Sequence, residues 1–394
     1  MLRPYQQACL DAIIKDLDVP GNSICVLPTG AGKSHIIAAA ARERNPVLII
    51  QPSQELLKQN LDKLALLVSR EHIGIYSASF KKKEIKTFTF ATIQSIYKKP
   101  ELFQEVKLVL LDECHQLSPR NAGMLSSFLA KLPTIKVIGL TATAFRTEMV
   151  YENINGDLYA ATGIKMINRM YIQGTKRAFW SRILYTISHQ SLVDQGYLVP
   201  LTYISQPLVP YEEIKINASH SDFNLSSYSA SVIGFEANIL RTIQEAQNRF
   251  RSVLVFCSEV AQAERLADIV IDSEIVTGKT PVKERKDIIE RFKDHTTKTV
   301  FNVGCLTTGF DHPSLDCVVL LRPVKSPILY LQMLGRLTRP ALNKPSATVI
   351  DLTGSCKALG PIESFEMFQQ NGLWNVRSSK VDGFHGRLLF RQKL

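Results

Sequence analysis

The sequence predicts an α/β protein: two parallel-sheet lobes with a central cleft between them. Three observations predict it. Short, β-branched apolar runs alternate with amphipathic helical patterns from the N-terminus onward. The same alternation starts again near Ser252. A Gly-rich turn ending in Lys33-Ser34 joins the first strand to a helix.

Ser23–Leu27, Val47–Gln51, Thr87–Ala91, Lys107–Asp112 and Lys136–Leu140 read as buried strands, with helices at His35–Arg44, Gln54–Ser69 and Asn121–Leu132. Strands separated by helices imply a parallel sheet covered on both faces. In the second lobe the strands are Ser252–Cys257, Glu274–Val276, Thr299–Val303, Asp316–Leu321 and Ala347–Leu352. Helices are expected at Glu259–Val270, Val282–Lys293 and Ile328–Arg339. From Glu148 to Ala237 the rhythm breaks. Ser188–Gln195 reads as a helix and Tyr197–Leu208 as extended. A run of serines (Ser219, Ser221, Ser226, Ser227, Ser229, Ser231) reads as a mobile polar insertion. After Thr353 no sheet pattern is legible, and Arg377, Lys380, Arg387, Arg391 and Lys393 against Asp382 read as a basic tail. The expected division is therefore 1–195, 196–355 with an insertion near 211–232, and a tail over 356–394.

The chain has 394 residues, enough for two or three domains and for a core that needs no staple. With 45% apolar and 21% charged residues it is neither disordered nor fibrous. No apolar run approaches the roughly 18 residues of a membrane span, and the N-terminus has no signal-peptide pattern. A cytoplasmic protein is expected. The cysteines are scattered, with no metal-binding spacing, and read as reduced core thiols. A net charge of +11 fits a polyanionic partner, although a solvated basic surface would look the same.

Pro28, Thr29, Gly30, Ala31, Gly32, Lys33 and Ser34 form the turn of a phosphate loop. The glycines let backbone N–H groups curl toward phosphates, and the following helix adds its positive end. Lys33 would neutralise the β and γ phosphates of ATP, and Ser34 would ligate Mg²⁺. Leu108–Asp112 is an apolar strand ending in Asp112-Glu113. Asp112 would hold the Mg²⁺, partly through water, and Glu113 would orient the attacking water. His115 reads as a link to Thr141-Ala142-Thr143, or as a structural histidine. In the second lobe, Gln332, Arg336 and Arg339 fall at i, i+4 and i+7, one face of a helix, suited to a transferring phosphoryl group. Just upstream, Gly309 permits close backbone approach, and Asp311 would bond a ribose or an arginine.

Together these residues resemble a superfamily 2 helicase, whose lobes are RecA-like. Further segments carry the resemblance in family order: Leu2–Gln6, Ile50–Gln59, Phe90–Ser95, Leu140–Arg146, Val255–Cys257 and Val276–Arg285. The Asp-Glu-Cys-His box, Gly196–Pro200, Val303–Asp311 and Leu321–Pro323 look closest to the bacterial RadD-like group, with XPB-like and restriction-translocase subunits near it. Ala144 stands where the family has proline, and the cysteine-rich segment of RadD-like proteins is missing.

The resemblance implies that Arg3 and Gln6 read adenine. It places Ser53, Thr92, Gln94, Thr277, Thr307 and Thr308 along nucleic acid, although Ser and Thr also cap helices at such places. It implies DNA-stimulated ATP hydrolysis coupled to movement on DNA, in repair or recombination. Single-strand-binding or repair proteins would be its partners. An RNA helicase, a restriction motor subunit and a non-processive ATP-gated clamp or annealing factor are the alternatives.

Overall fold

In the computed structural model, Leu48, Ile49 and Ile50 lie mid-strand and buried on both faces, and the first sheet extends outward from them. The structure describes residues 1–116, 123–133, 135–153, 164–172, 179–217, 222–306, 310–370, 373–378 and 387–392.

The first half lays down α1 (Pro4–Asp16), β1 (Asn22–Val26), α2 (Lys33–Glu43), β2 (Val47–Gln51), α3 (Gln54–Leu64), β3 (Ile73–Ser77), β4 (Lys82–Lys83), β5 (Phe88–Thr92), α4 (Ile93–Ile96), β6 (Leu108–Asp112), α5 (Met124–Leu129), β7 (Lys136–Thr141), β8 (Phe145–Asn153), β9 (Ile164–Ile172), β10 (Trp180–Thr186) and α6 (His189–Asp194). The sheet order is β10-β1-β7-β6-β2-β5-β3-β4. Its pairs are parallel except β3–β4.

The second half continues with β11 (Leu201–Ser205), α7 (Leu225–Ser231), α8 (Glu236–Arg249), β12 (Val253–Cys257), α9 (Val260–Ala267), β13 (Ser273–Val276), α10 (Val282–Lys293), β14 (Thr299–Asn302), β15 (Cys317–Leu321), α11 (Pro327–Leu334), β16 (Ala347–Asp351) and α12 (Ser355–Leu359). Its sheet, β11-β16-β15-β12-β14-β13, is parallel throughout. Helices cover both faces of each sheet, so the inner strands are apolar along their whole length.

Three expectations are corrected. The stretch from Glu148 is more than a connector. β8 and β9 form an antiparallel hairpin, and β10 returns to add an edge strand beside β1. Trp180, 1% exposed and edge-on to Phe179, anchors that strand in the first core. The serine-rich insertion folds as α7. Asn224 caps it, and Tyr228, Val232, Ile214 and Phe223 bury a small apolar cluster beneath it. Asp222 fixes this cluster by pairing with Arg322 at 3.2 Å. Ser219 and Ser221 lie outside the described residues.

The C-terminal segment is a sheet, not a tail: β17 (Glu366–Gln370), β18 (Leu373–Ser378) and β19 (Arg387–Gln392) pair antiparallel. Antiparallel strands need only one buried face, so their apolar content was too low to read as core. Arg377, Arg387 and Arg391 stand in these strands; Lys380, Asp382 and Lys393 lie outside the described residues.

Two buried histidines bear on stability. His189 is 5% exposed, with no hydrogen-bond partner for either ring nitrogen among the described residues. Burial pushes it down to about 4. His312 is 3% exposed; burial first, then His295 and nearby cations, push it down to about 3. An unfolded histidine titrates near 6.5, so neutral burial stabilises fully above that pH. The stability is lost as pH falls toward 4 and 3, by at most about 1.4 kcal/mol per pH unit for each group. Urea midpoints at pH 7.5 and 4.5 should therefore differ, and His189→Leu should flatten the difference. An unchanged pH dependence in that variant would clear His189.

A phosphate-loop site between the lobes

The strand β1 ends against the cleft because Leu27, fully buried, holds its exit by donating its N–H to the Thr141 carbonyl at 2.9 Å. The loop that follows needs left-handed backbone at Gly30 (φ 87°) and Gly32 (φ 74°). Gly32 then leads directly into α2, so Lys33 and Ser34 open the helix. A cavity of about 570 Å³ lies in front of this turn. Its walls include Thr29, Gly30, Gly32, Lys33, Ser34, Asp112 and Glu113 from the first lobe and Asp311, Gln332, Arg336 and Arg339 from the second. That volume is in the range of small-ligand sites.

The two carboxylates differ in environment. Asp112 is 5% exposed; burial, then the neighbouring charge of Glu113, raises it to about 6. Burial also opposes ionisation of Glu113, but the Lys33 ammonium and the His115 bond outweigh it and hold it at about 2. Lys33 Nζ is 4.0 Å from Glu113 Oε1. Glu113 sits in left-handed backbone at φ 48°, a conformation costly for a non-glycine residue and concentrated at functional sites.

His115 joins the lobes. Its Nδ1 lies 3.2 Å from Glu113 Oε2 and 3.0 Å from Thr141 Oγ1, as the reading toward Thr141 expects. Its Nε2 lies 3.2 Å from Gln332 Nε2 in the second lobe. These partners assign a proton to Nδ1, leaving Nε2 to accept from the Gln332 amide. Gly335 packs against the phosphate loop: a Cβ there would lie 2.7 Å from the Thr29 side chain.

The arginines reach the cavity by a different route from the expected one. α11 ends at Leu334, so Gln332, Arg336 and Arg339 do not share one helix face. Arg336 lies in the turns that follow and donates to the Phe310 carbonyl; Arg339 pairs with Asp311. Asp311 thus takes the arginine rather than the ribose alternative here. Burial lowers both guanidinium groups to about 10, and Glu113 partly restores Arg336. Lys344 secures the segment, donating to the carbonyls of Pro313, Leu337 and Arg339.

Other expected ligands stand differently. Gln6 is buried, accepting from Arg3 N at 3.0 Å and donating to the Ala31 carbonyl at 3.0 Å. Neither Arg3 nor Gln6 lines the cavity; Arg3 lies over the Tyr197 ring at 4.8 Å. Pro28 lines a neighbouring apolar pocket, and Ala31 is buried. Ser53 caps α3 by accepting from Leu56 N and lines the nucleotide cavity. Thr92 is buried among Ser77 and Ser95 hydroxyls, and Thr277 accepts from Lys279 N. Gln94 is exposed. Thr307, Thr308 and Gly309 lie outside the described residues. Sequence reasoning missed Asn60, whose Nδ2 donates to Asp112 Oδ2 at 2.9 Å and which adjoins the marked segment Ile50–Gln59; Tyr197, inside the marked segment Gly196–Pro200, packs against Tyr5.

Ser34 and Asp112 offer hard oxygen ligands beside a phosphate loop, which fits a Mg²⁺ that keeps most of its waters.

The fold and this cavity define a two-lobed phosphate-loop nucleotide-binding protein. The family description "Type III restriction enzyme, res subunit" matches residues 1–146, and "Helicase conserved C-terminal domain" matches residues 236–341. The chain is 27% identical to the DNA 3'-5' helicase XPB of Kineococcus radiotolerans, over 88% of this chain and 58% of that protein. It is 24% identical to the DNA 3'-5' translocase XPB2 of Sulfurisphaera tokodaii, over 86% and 78%. Saccharomyces cerevisiae Dbp5 bound to RNA and ADP BeF3 shares the fold, with a TM-score of 0.58 at 15% identity, over 88% of this chain and 83% of that one. Residues 1–146 and 236–341 thus carry restriction-subunit and helicase C-terminal domains, and the chain is similar to superfamily 2 helicases of the restriction-subunit and XPB type. It spans about half to two thirds of the length of the first curated relatives it matches. Among the described residues, no helix is long and apolar enough to cross a membrane.

Proposed function

We propose that this protein hydrolyses ATP and couples the hydrolysis to movement on, or remodelling of, nucleic acid. DNA is the favoured track, and repair or recombination the setting. The observation that carries the reading is the single cavity walled by Lys33, Asp112 and Glu113 from one lobe and by Arg336 and Arg339 from the other.

Lys33 binds the β and γ phosphates, and Glu113, held ionised, accepts a hydrogen bond from the attacking water and aims it. Arg336 and Arg339 meet the charge that builds on the transferring group. Mg²⁺, held through Ser34 and Asp112, supplies further charge neutralisation when bound. Because His115 bonds both Glu113 and Gln332, the water-aiming carboxylate is sensitive to the position of the second lobe. That is the link by which closure of the lobes and hydrolysis drive each other.

ATP turnover measured with single-stranded, duplex, forked and branched DNA, and with RNA, tests the reading. Stimulation by DNA above RNA is the expected result, and turnover indifferent to every nucleic acid would sink it. Greater stimulation by RNA would make it an RNA helicase. Stimulation without strand separation or translocation would make it an ATP-gated clamp. Affinity should also fall steeply with salt, since each phosphate contact releases about 0.9 counterions on duplex and about 0.7 on single strands. A log–log slope near zero would remove nucleic acid as the partner.

A further inference from the structure

Asn60 stands where the packing alone calls for an apolar residue. It lies on α3 between Leu57, Leu61 and Leu64, all turned into the first core, and it is 0% exposed. A buried primary amide is costly unless its polar atoms are paired. Here only half of it is: Nδ2 donates to Asp112 Oδ2 at 2.9 Å, and Oδ1 has no partner among the described residues. The fold thus tolerates an unpaired carbonyl to deliver one N–H to one carboxylate oxygen. The other oxygen, Asp112 Oδ1, accepts from Glu113 N at 3.0 Å. A carboxylate has about four lone-pair directions, so each oxygen keeps one free. With both oxygens gripped, the carboxylate cannot turn about its terminal bond without breaking a bond. Asp112 lines the nucleotide cavity, and so do Ser53, Leu56 and Gln59 of the same α3 segment.

We infer that Asn60 is a positioning residue, whose carboxamide orients the Asp112 carboxylate toward the metal of the bound nucleotide. The inference rests on the proposed ATP site and adds to it a residue carried by α3 rather than by the phosphate loop or the carboxylate strand. Groups that orient a metal ligand from behind are typically worth 10- to 100-fold in metal affinity or activity.

The test is Mn²⁺ binding, read by electron paramagnetic resonance, to the full chain with a non-hydrolysable ATP analogue. It is run beside analogue affinity in EDTA and the Mg²⁺ concentration that half-saturates turnover. Asn60→Leu, which keeps the branched shape and removes the donor, should weaken Mn²⁺ and raise the Mg²⁺ half-saturation by about 10- to 100-fold. Metal-free analogue affinity should stay within a few-fold, and Asn60→Gln, which keeps the donor on a longer stem, should recover part of the loss. If Asn60→Leu does not fold, Asn60→Ala is read the same way. Wild-type Mn²⁺ affinity in the donor-less variant would overturn the inference. So would an equal loss of metal-free nucleotide affinity, which would mark Asn60 as a general support of the pocket. A wild-type chain without any nucleotide-dependent Mn²⁺ site would sink the ATP reading itself, and the inference with it.

Discussion

Lys33→Ala abolishes ATP turnover, with a loss of at least about a thousandfold, the upper end for removing one preorganised donor. The size of the effect follows from what surrounds the ammonium. Lys33 opens α2, so its charge adds to the helix end and to the N–H groups of the glycine turn. Its Nζ stands between the Leu27 carbonyl at 3.4 Å and Glu113 at 4.0 Å. Removing it takes away the cation that faces the phosphates and the charge that most strongly keeps Glu113 ionised against burial. Both losses act on the same step, so the variant loses phosphate binding and water activation together. Glu113→Gln separates them: nucleotide binding persists and turnover becomes very slow. Turnover and fluorescent-nucleotide affinity on one preparation measure both. Substantial turnover in Lys33→Ala would displace the site from this cavity, and near-normal turnover in Glu113→Gln would remove Glu113 from water positioning.

Arg339→Ala cuts turnover by at least about a hundredfold while ATP and DNA affinity stay within a few-fold of wild type. An arginine that meets charge developing in the transition state contributes to the rate and not to ground-state binding. Arginine fingers reach about 10³–10⁵, taken here as the upper range. Arg339 reaches the cavity from the second lobe and is held by Asp311, so it is aimed from outside the phosphate loop. Lysine should rescue poorly, because a point ammonium cannot fork to two oxygens. Arg336→Ala should also slow turnover, but Arg336 is 8% exposed and donates to the Phe310 carbonyl, so that variant mixes catalysis with folding. Arg339 therefore gives the cleaner measurement. A fall in ATP affinity matching the fall in rate would make Arg339 a ground-state ligand, and normal turnover would remove it from the reaction.

The residues proposed to meet phosphate were legible in the sequence, because their chemistry is local. A glycine turn between a strand and a helix, or two carboxylates after an apolar strand, specifies its own backbone within a few residues. The alternation of buried strands and amphipathic helices likewise announced both parallel sheets, since strands buried on both faces are apolar throughout. What stayed hidden depends on distant partners. The hairpin β8–β9, the edge strand β10 and the three-stranded sheet β17–β19 stand outside the inner strands of the two parallel sheets, so no long apolar run announced them. The helix expected through Arg339 stops at Leu334, and the bonds of Arg336 and Arg339 to Phe310 and Asp311 help to carry both arginines on to the cleft. Asn60 reads as an ordinary helix residue until the fold sets it against Asp112, 52 positions away. The bond from His115 to Gln332 spans 217 positions and exists only because the lobes meet. By itself, the sequence determined which side chains are the candidates for handling phosphate and water. The tertiary structure decided which of them face one another, because a hydrogen bond between remote residues is set by packing over the whole chain and leaves no periodic trace in either segment.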